Sequence, residues 1–316
     1  MVASRIVPFV IALGIAVSTT VPSYALEHAS SAPSSEEASS VAALKIGKVG
    51  SFGNCTATLI SDQWVVTARH CLQSTDNQGS QVRLGGKVYN VDAWAVSPVS
   101  DVGLLRLEEK VTDIHPADIA DRTPQEGEKG NFYGWSNLSR MARKNQLPVS
   151  EMKVEEVIGQ IGGGSEGAAQ FDEKAIDFKA EIPSGENEEF PAESAAAPML
   201  MGGILMATKS VLGAGVQAGD SGGPFFVEGR LAGVMTAGTD VGNPDLPSQG
   251  AAITALSDSK DWIQGIVSGR DAKSIVTQSE SSIPAVPQTA GEHMWFYLAI
   301  AVLGLIGATV FQRFLR

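Results

Sequence analysis

The chain has 316 residues, enough for one large domain or two small ones, and its 43% hydrophobic and 18% charged content is that of a globular protein. A formal net charge of −12 argues against a nucleic-acid-binding surface, which needs clustered Lys and Arg. No internal repeat of fixed period is visible.

The N-terminal stretch MVASRIVPFVIALGIAVSTTVPSYALEH has Arg5 as a short positive region, an apolar run from Ile6 to Val17, and SYA ending at Ala25. This is the pattern of a secretory signal peptide, residues 1–25, cut after Ala25. The competing reading, a first transmembrane helix, has too short an apolar core. Residues 26–40, LEHASSAPSSEEASS, read as a flexible leader or pro-segment.

From Val41 onward come short strand-like runs: CTATLI, QWVVTA, QVRLGG, KVYNVDAWAV and DVGLLRL, separated by turn residues. A second set follows in NFYGW, EMKVEEVIGQI, GPFFVEGRLAGVMTAG and GAAITAL, with VEGR as a hairpin turn. Such spacing predicts an antiparallel sandwich or barrel. Residues 162–197 form an acidic, Gly- and Pro-containing insertion, read as surface loops or as a flap over a cleft. LSDSKDWIQGIVSG predicts a short amphipathic helix with Trp262, Ile263, Ile266 and Val267 on one face.

Residues 269–293 read as a polar stalk, and 294–311 as a transmembrane helix flanked by Trp295 and Tyr297. Arg313 and Arg316 then mark 312–316 as a cytoplasmic tail. These features predict an exported, envelope-bound protein with its main domain outside and the membrane as a partner. VPQTA, from Val286 to Ala290, imperfectly resembles an LPxTG sorting signal, so sortase processing and covalent wall attachment compete with the simple anchor.

Cys55 and Cys71 are the only cysteines. In an exported chain a pair most often forms a disulfide, and a two-thiol metal site lacks nearby ligands at the right spacing. No metal or cofactor is implied.

The chemistry concentrates in QAGDSGGPFF. A serine hydroxyl needs a base within hydrogen-bond reach and donors for the oxyanion formed on attack. Gly219, Gly222 and Gly223 let the chain turn tightly and leave Ser221 accessible. Of four histidines, His28 lies in the leader, His293 abuts the apolar C-terminal run, and His115 sits in a polar loop. His70 follows an apolar strand and adjoins Cys71, which makes it the candidate base. Asp101, heading VGLLRL, is either a turn cap or the carboxylate that orients His70.

TARHC, DVGLLRL and GDSGGP, in that order, resemble the trypsin/chymotrypsin-like serine peptidases, which write them TAAHC, DIALLRL and GDSGGP. YGWSN, LAGVMTAG and ITALSDSKDWIQGIV extend the resemblance over 41–268. The terminal segments mark a bacterial, secreted, C-terminally anchored member.

The resemblance implies an all-β fold, two six-stranded antiparallel β-barrels with a C-terminal helix, to which a transmembrane helix is added. It implies Ser221 as nucleophile, His70 as general base and Asp101 as its orienting carboxylate. The N–H groups of Gly219 and Ser221 become the oxyanion hole, and Asp220 the aspartate that receives a buried positive charge. Gly215 occupies the base of the specificity pocket, where trypsin-like members carry an aspartate, with Thr236, Ala237 and Gly238 on its wall. The expected activity is a serine endopeptidase acting on proteins or peptides with an apolar or small residue before the scissile bond.

Three departures stand out. Arg69 replaces a small alanine and must reach solvent or a carboxylate, where it biases the local pKa downward. Gln217 stands where the family has a cysteine. LKIGKVG invites an activating cut before Ile46, but that residue lies too close to Cys55 for the family's tether. The alternative is a catalytically silent protease-like binding domain on the cell surface: loss of a triad residue would favour it and none is lost, while Arg69, the missing activation sequence and the reduced pocket keep it open. A lipase or esterase requires an α/β sheet and another order of catalytic residues.

Overall fold

The structure, a computed structural model, describes residues 26, 29–73, 77–159, 203–239 and 247–278. The expected signal peptide, acidic insertion, sorting-like sequence and apolar C-terminal run fall outside these residues.

Two antiparallel sheets form, each of seven strands. The first contains β2 (Val41–Lys45), β3 (Cys55–Leu59), β4 (Trp64–Thr67), β5 (Gln81–Leu84), β6 (Lys87–Val96) and β7 (Gly103–Leu107). Pairing of β6 with β7 closes these six into a barrel, and the two-residue β14 (Val276–Thr277) adds to β6. The second contains β8 (Lys129–Tyr133), β9 (Pro148–Ile158), β10 (Leu205–Ser210), β11 (Pro224–Val227), β12 (Arg230–Gly238) and β13 (Gly250–Ala255). It closes through β8 and β9, with β1 (Ser30–Ser31) on the outer edge of β9. The helices are α1 (Glu36–Ser40), α2 (His70–Gln73), α3 (Arg140–Arg143) and α4 (Lys260–Val267).

The sequence explains why the barrels sit against each other. Side chains alternate across a strand, so a strand buried on both faces reads as a continuous apolar run. In β4, Val65 points into the first barrel's core while Trp64 and Val66 enter a third cluster between the barrels. In β7, Leu105 and Leu107 line the interior and Leu104 the interface. In β11, Phe225 and Val227 fill the second barrel and Phe226 the interface. Ile263 and Ile266 of α4 complete that cluster, one helical turn apart as the amphipathic pattern requires. Emptying one such fully buried aromatic position costs about 3–5 kcal/mol.

The VEGR hairpin is a two-residue turn with φ +52° at Glu228 and +76° at Gly229, the left-handed pair that matches strand twist. Cys55 and Cys71 form a disulfide. It ties the start of β3 to α2 and closes a loop worth about 3 kcal/mol in the chain-entropy view.

Several expectations change. The longest helix among the described residues, α4, has eight residues, against the roughly 20 that span a bilayer. No helix among the described residues is long and apolar enough to cross a membrane. The expected transmembrane helix, the membrane as partner and the envelope-anchored location are corrected accordingly.

Residues read as the start of a stalk pack on the first barrel. β14 pairs with β6, and the Gln278 N–H donates to Asp92 O. The leader is also structured. Ala32 N donates to Leu147 O, Ser35 caps α1 by accepting from Ala38 N, and Glu37 accepts from the Tyr133 hydroxyl at 2.7 Å. Ile46 is buried in the first core directly after β2, so a cut before it would detach a barrel strand.

Candidate active site

His70 opens α2, immediately beyond β4, with the disulfide on its next residue. Asp101 precedes β7 and is buried. Its Oδ1 accepts the His70 backbone N–H at 2.9 Å, and its Oδ2 lies 2.9 Å from His70 Nδ1. One carboxylate thus holds both the main chain and the ring. It fixes the tautomer with a proton on Nδ1, leaving Nε2 as the basic nitrogen. The imidazole is 32% exposed, so it stands at a surface while its partner does not.

Ser221 comes from the other barrel, on the loop between β10 and β11. Three contacts bring that loop to the first barrel. Thr56 N donates to Ser221 O at 2.8 Å, Thr56 Oγ1 donates to Gly219 O at 3.0 Å, and Cys71 Sγ lies 3.9 Å from Ser221 O. The hydroxyl of Ser136 holds Ala218 O at 2.6 Å from behind. Thr56 and Ser136 escaped the sequence reading, since they act through long-range contacts with no local motif.

Glycine is required at two positions in this loop. Gly219 (φ +92°) would drive a Cβ into Gly53 O and Ser136 Oγ, and Gly222 (φ +76°) would drive one into Thr67 Oγ1 and Thr56 O. The Asp220 and Gly222 amides donate to Gln217 O and Met235 O. The Gly219 and Ser221 amides make no such bond to a carbonyl among the described residues. These are the two N–H groups that the family resemblance assigns to an oxyanion hole.

Asp220 is completely buried. Its Oδ2 accepts from Gln217 N at 3.1 Å, while Oδ1 has no hydrogen-bond partner among the described residues. Burial pushes its carboxyl up to about 7, and the Gln217 and Ser136 backbone N–H groups only partly offset this. In that state it lowers stability as pH rises from near 4 toward 7, because the unfolded chain gives up its proton first.

Of the expected pocket residues, Gly215 lies against Pro247 and Gly238 against Ser248. Val216 and Ser248 exchange backbone hydrogen bonds, a Cβ on Gly215 would strike Pro247, and one on Gly238 would lie 2.9 Å from Ser248 Cβ. The Thr236 and Thr254 hydroxyls hydrogen-bond to each other at 2.6 Å. Arg69 reaches no carboxylate among the described residues. Its Nη1 donates to Ser97 O, and the Gln73 amide, oxygen toward it, accepts from Nε and Nη2 at 2.8 Å. His115 is exposed beside Pro116, away from these groups. A depression lined by Thr123–Glu126, Glu156 and Val157 contains none of the residues His70, Asp101 or Ser221. No cluster of His, Cys, Asp or Glu fit for a metal occurs among the described residues.

The trypsin family's sequence pattern matches residues 31–177 and 179–263. This chain belongs to the trypsin family. An uncharacterised peptidase of Corynebacterium glutamicum (strain R) is 25% identical over 245 residues, covering 77% of this chain and 73% of that one. The thrombin-like enzyme elegaxobin-2 of Protobothrops elegans is 27% identical over 237 residues, covering 68% and 86%. Among solved structures, mouse neuropsin, described as a serine protease, superposes with a TM-score of 0.50 at 22% identity, covering 73% of this chain and 96% of its own. Human heparin binding protein superposes at 0.51 with 18% identity, covering 76% and 96%. These likenesses establish the trypsin-family serine peptidase fold.

Proposed function

We propose that this trypsin-family protein is an exported serine endopeptidase that cleaves proteins or peptides through an acyl-enzyme on Ser221. The observation that carries the reading is the double hold of Asp101 on His70, through ring nitrogen and backbone N–H. A structural aspartate has no need to fix the imidazole tautomer. A catalytic one must.

In this mechanism Ser221 Oγ attacks the scissile carbonyl carbon while His70 Nε2 takes its proton. Asp101 stabilises the imidazolium that results. The carbonyl oxygen becomes an oxyanion held by the Gly219 and Ser221 N–H groups, worth about 3–4 kcal/mol per donor in comparable sites. The C–N bond then breaks, and His70 returns the proton to the leaving amine. A water attacks the acyl-enzyme with His70 again as base, and Ser221 is regenerated.

The pocket supports a preference for a small or apolar residue before the scissile bond. Gly215 offers no carboxylate to Arg or Lys, and Pro247 closes in upon it. A peptide-library digest tests this. Cleavage after Ala, Val, Leu or similar residues is expected, absent with Ser221→Ala. Cleavage confined to Arg or Lys would overturn the pocket assignment, and equal cleavage by Ser221→Ala would overturn the peptidase itself.

A further inference from the structure

We propose that Ser136 is a positioning residue for catalysis: its hydroxyl holds Ala218 O and thereby aims the Gly219 N–H, an oxyanion donor, from outside the nucleophile loop. The kinetic consequence rests on the peptidase reading; the hold on the peptide unit does not.

The Ala218 carbonyl and the Gly219 N–H belong to one planar trans peptide unit and point in opposite directions. Whatever holds the oxygen therefore sets the direction of the N–H. Ser136 Oγ donates to Ala218 O at 2.6 Å. The Gly219 N–H accordingly faces away from Ser136, and it makes no backbone hydrogen bond among the described residues.

The neighbouring peptide units are held differently. Gly219 O accepts from Thr56 Oγ1 at 3.0 Å, Asp220 O from Gly223 N at 2.8 Å and Ser221 O from Thr56 N at 2.8 Å. The unit that carries the Ser221 N–H is thus fastened by a backbone donor within the loop itself. Among the described residues, the unit that carries the Gly219 N–H is fastened at its oxygen by a side chain alone.

The surroundings fix that side chain. Ser136 is 0% exposed, and its Oγ accepts from Leu138 N at 3.1 Å. A hydroxyl has one proton, and with Leu138 N–H supplying the other bond, that proton goes to Ala218 O. The backbone beneath is tied down as well. Ser139 N donates to Ser136 O at 3.0 Å, and Asn137 N to Gly53 O at 3.1 Å. Gly53 N in turn donates to Leu44 O of β2 at 2.9 Å, so the hydroxyl stands on a support anchored in the opposite barrel.

Gly219 makes such a hold necessary. At φ +92° and without a side chain, it offers little resistance to rotation of its peptide unit once Ala218 O is released. A Cβ on Gly219 would lie 2.8 Å from Ser136 Oγ, so the hydroxyl occupies the space that a larger residue at 219 would need. The serine and the glycine are a matched pair.

The test compares the full-length protein with Ser136→Ala and Ser136→Gly. It reads kcat and KM for one cleaved peptide, and affinities for a peptidyl trifluoromethyl ketone and the matching alcohol. Ser221 Oγ adds to the ketone carbon, its proton passes to His70, and the ketone oxygen becomes an oxyanion; the alcohol forms no such adduct. Carbonyl-13C alanine with 15N-glycine labelling reports separately on the Ala218–Gly219 peptide unit.

Both variants should lose about 10- to 100-fold in kcat with KM within about threefold, part of what a whole oxyanion donor carries. The ketone should weaken about as much as kcat/KM and the alcohol hardly at all. The Ala218 carbonyl and Gly219 nitrogen resonances should both move. A kcat within about threefold of the parent overturns the proposal. So does equal weakening of ketone and alcohol, which a merely structural serine would produce. If Ser136→Ala does not fold, Ser136→Gly decides. A parent that neither cleaves peptides nor binds the ketone removes the peptidase reading, and the resonances then decide the hold alone: displaced they uphold it, unchanged they overturn it.

Discussion

Replacing His70 with alanine lowers kcat/KM for peptide hydrolysis by about 10⁴- to 10⁶-fold, with the fold intact by circular dichroism. The imidazole is partly exposed and sits at the tip of α2, so its removal empties no core position. The loss is chemical: Ser221 retains its loop and its oxyanion donors but has no base. Asp101→Asn should cost about 10⁴-fold by a different route. The asparagine can still face the His70 backbone N–H, which Asp101 Oδ1 accepts at 2.9 Å. Its amide group then meets Nδ1 with the wrong polarity or without charge, and the imidazole adopts the unproductive tautomer. Steady-state kinetics on one cleaved peptide check both variants. Activity of His70→Ala within tenfold of the parent would exclude His70 as the base.

Gly222→Ala should be the most damaging single methyl group at the site. The added Cβ meets Thr67 Oγ1 and Thr56 O and lies 2.8 Å from Ala68 N, all in the opposite barrel. Those atoms cannot retreat freely, because Thr67 Oγ1 donates to Thr56 O at 2.7 Å within the first barrel's sheet. The backbone at φ +76° adds its own penalty for any side chain. Left-handed strain and overpacking together amount to about 2–4 kcal/mol. Thermal unfolding should show a drop of several degrees. Ser221 reactivity should fall as well, since the methyl forces the nucleophile loop away from His70. Unchanged stability would mean that the two barrels are not held as tightly as these contacts require.

The strands and the order of the chemical groups were legible in the sequence for local reasons. Continuous runs such as WVVT and PFFV mark strands buried on both faces, and DVGLLRL carries Asp101 at its head. VEGR announces its own turn. The leader was misread because Ser30–Ser31 and α1 derive their order from partners far along the chain, Pro148, Val149 and Tyr133. Leu26 is one apolar residue among polar ones, and nothing local reveals that it fills a core. The segment ending at Gln278 was taken for stalk because a two-residue strand has no periodicity to read. Arg69 was expected to reach solvent or a carboxylate. It found the Ser97 carbonyl instead, a partner that no sequence pattern shows. The membrane helix was inferred from composition at the end of the chain, and no helix among the described residues answers to it.

The most direct measurement is peptide mapping after a fluorophosphonate is reacted with the protein, its Ser221→Ala variant and its His70→Ala variant. A single adduct on Ser221 is predicted in the parent. It should be absent from Ser221→Ala and at least about 10³-fold slower in His70→Ala. An adduct on another residue, or none in a folded chain, would contradict a peptidase built on Ser221 and His70.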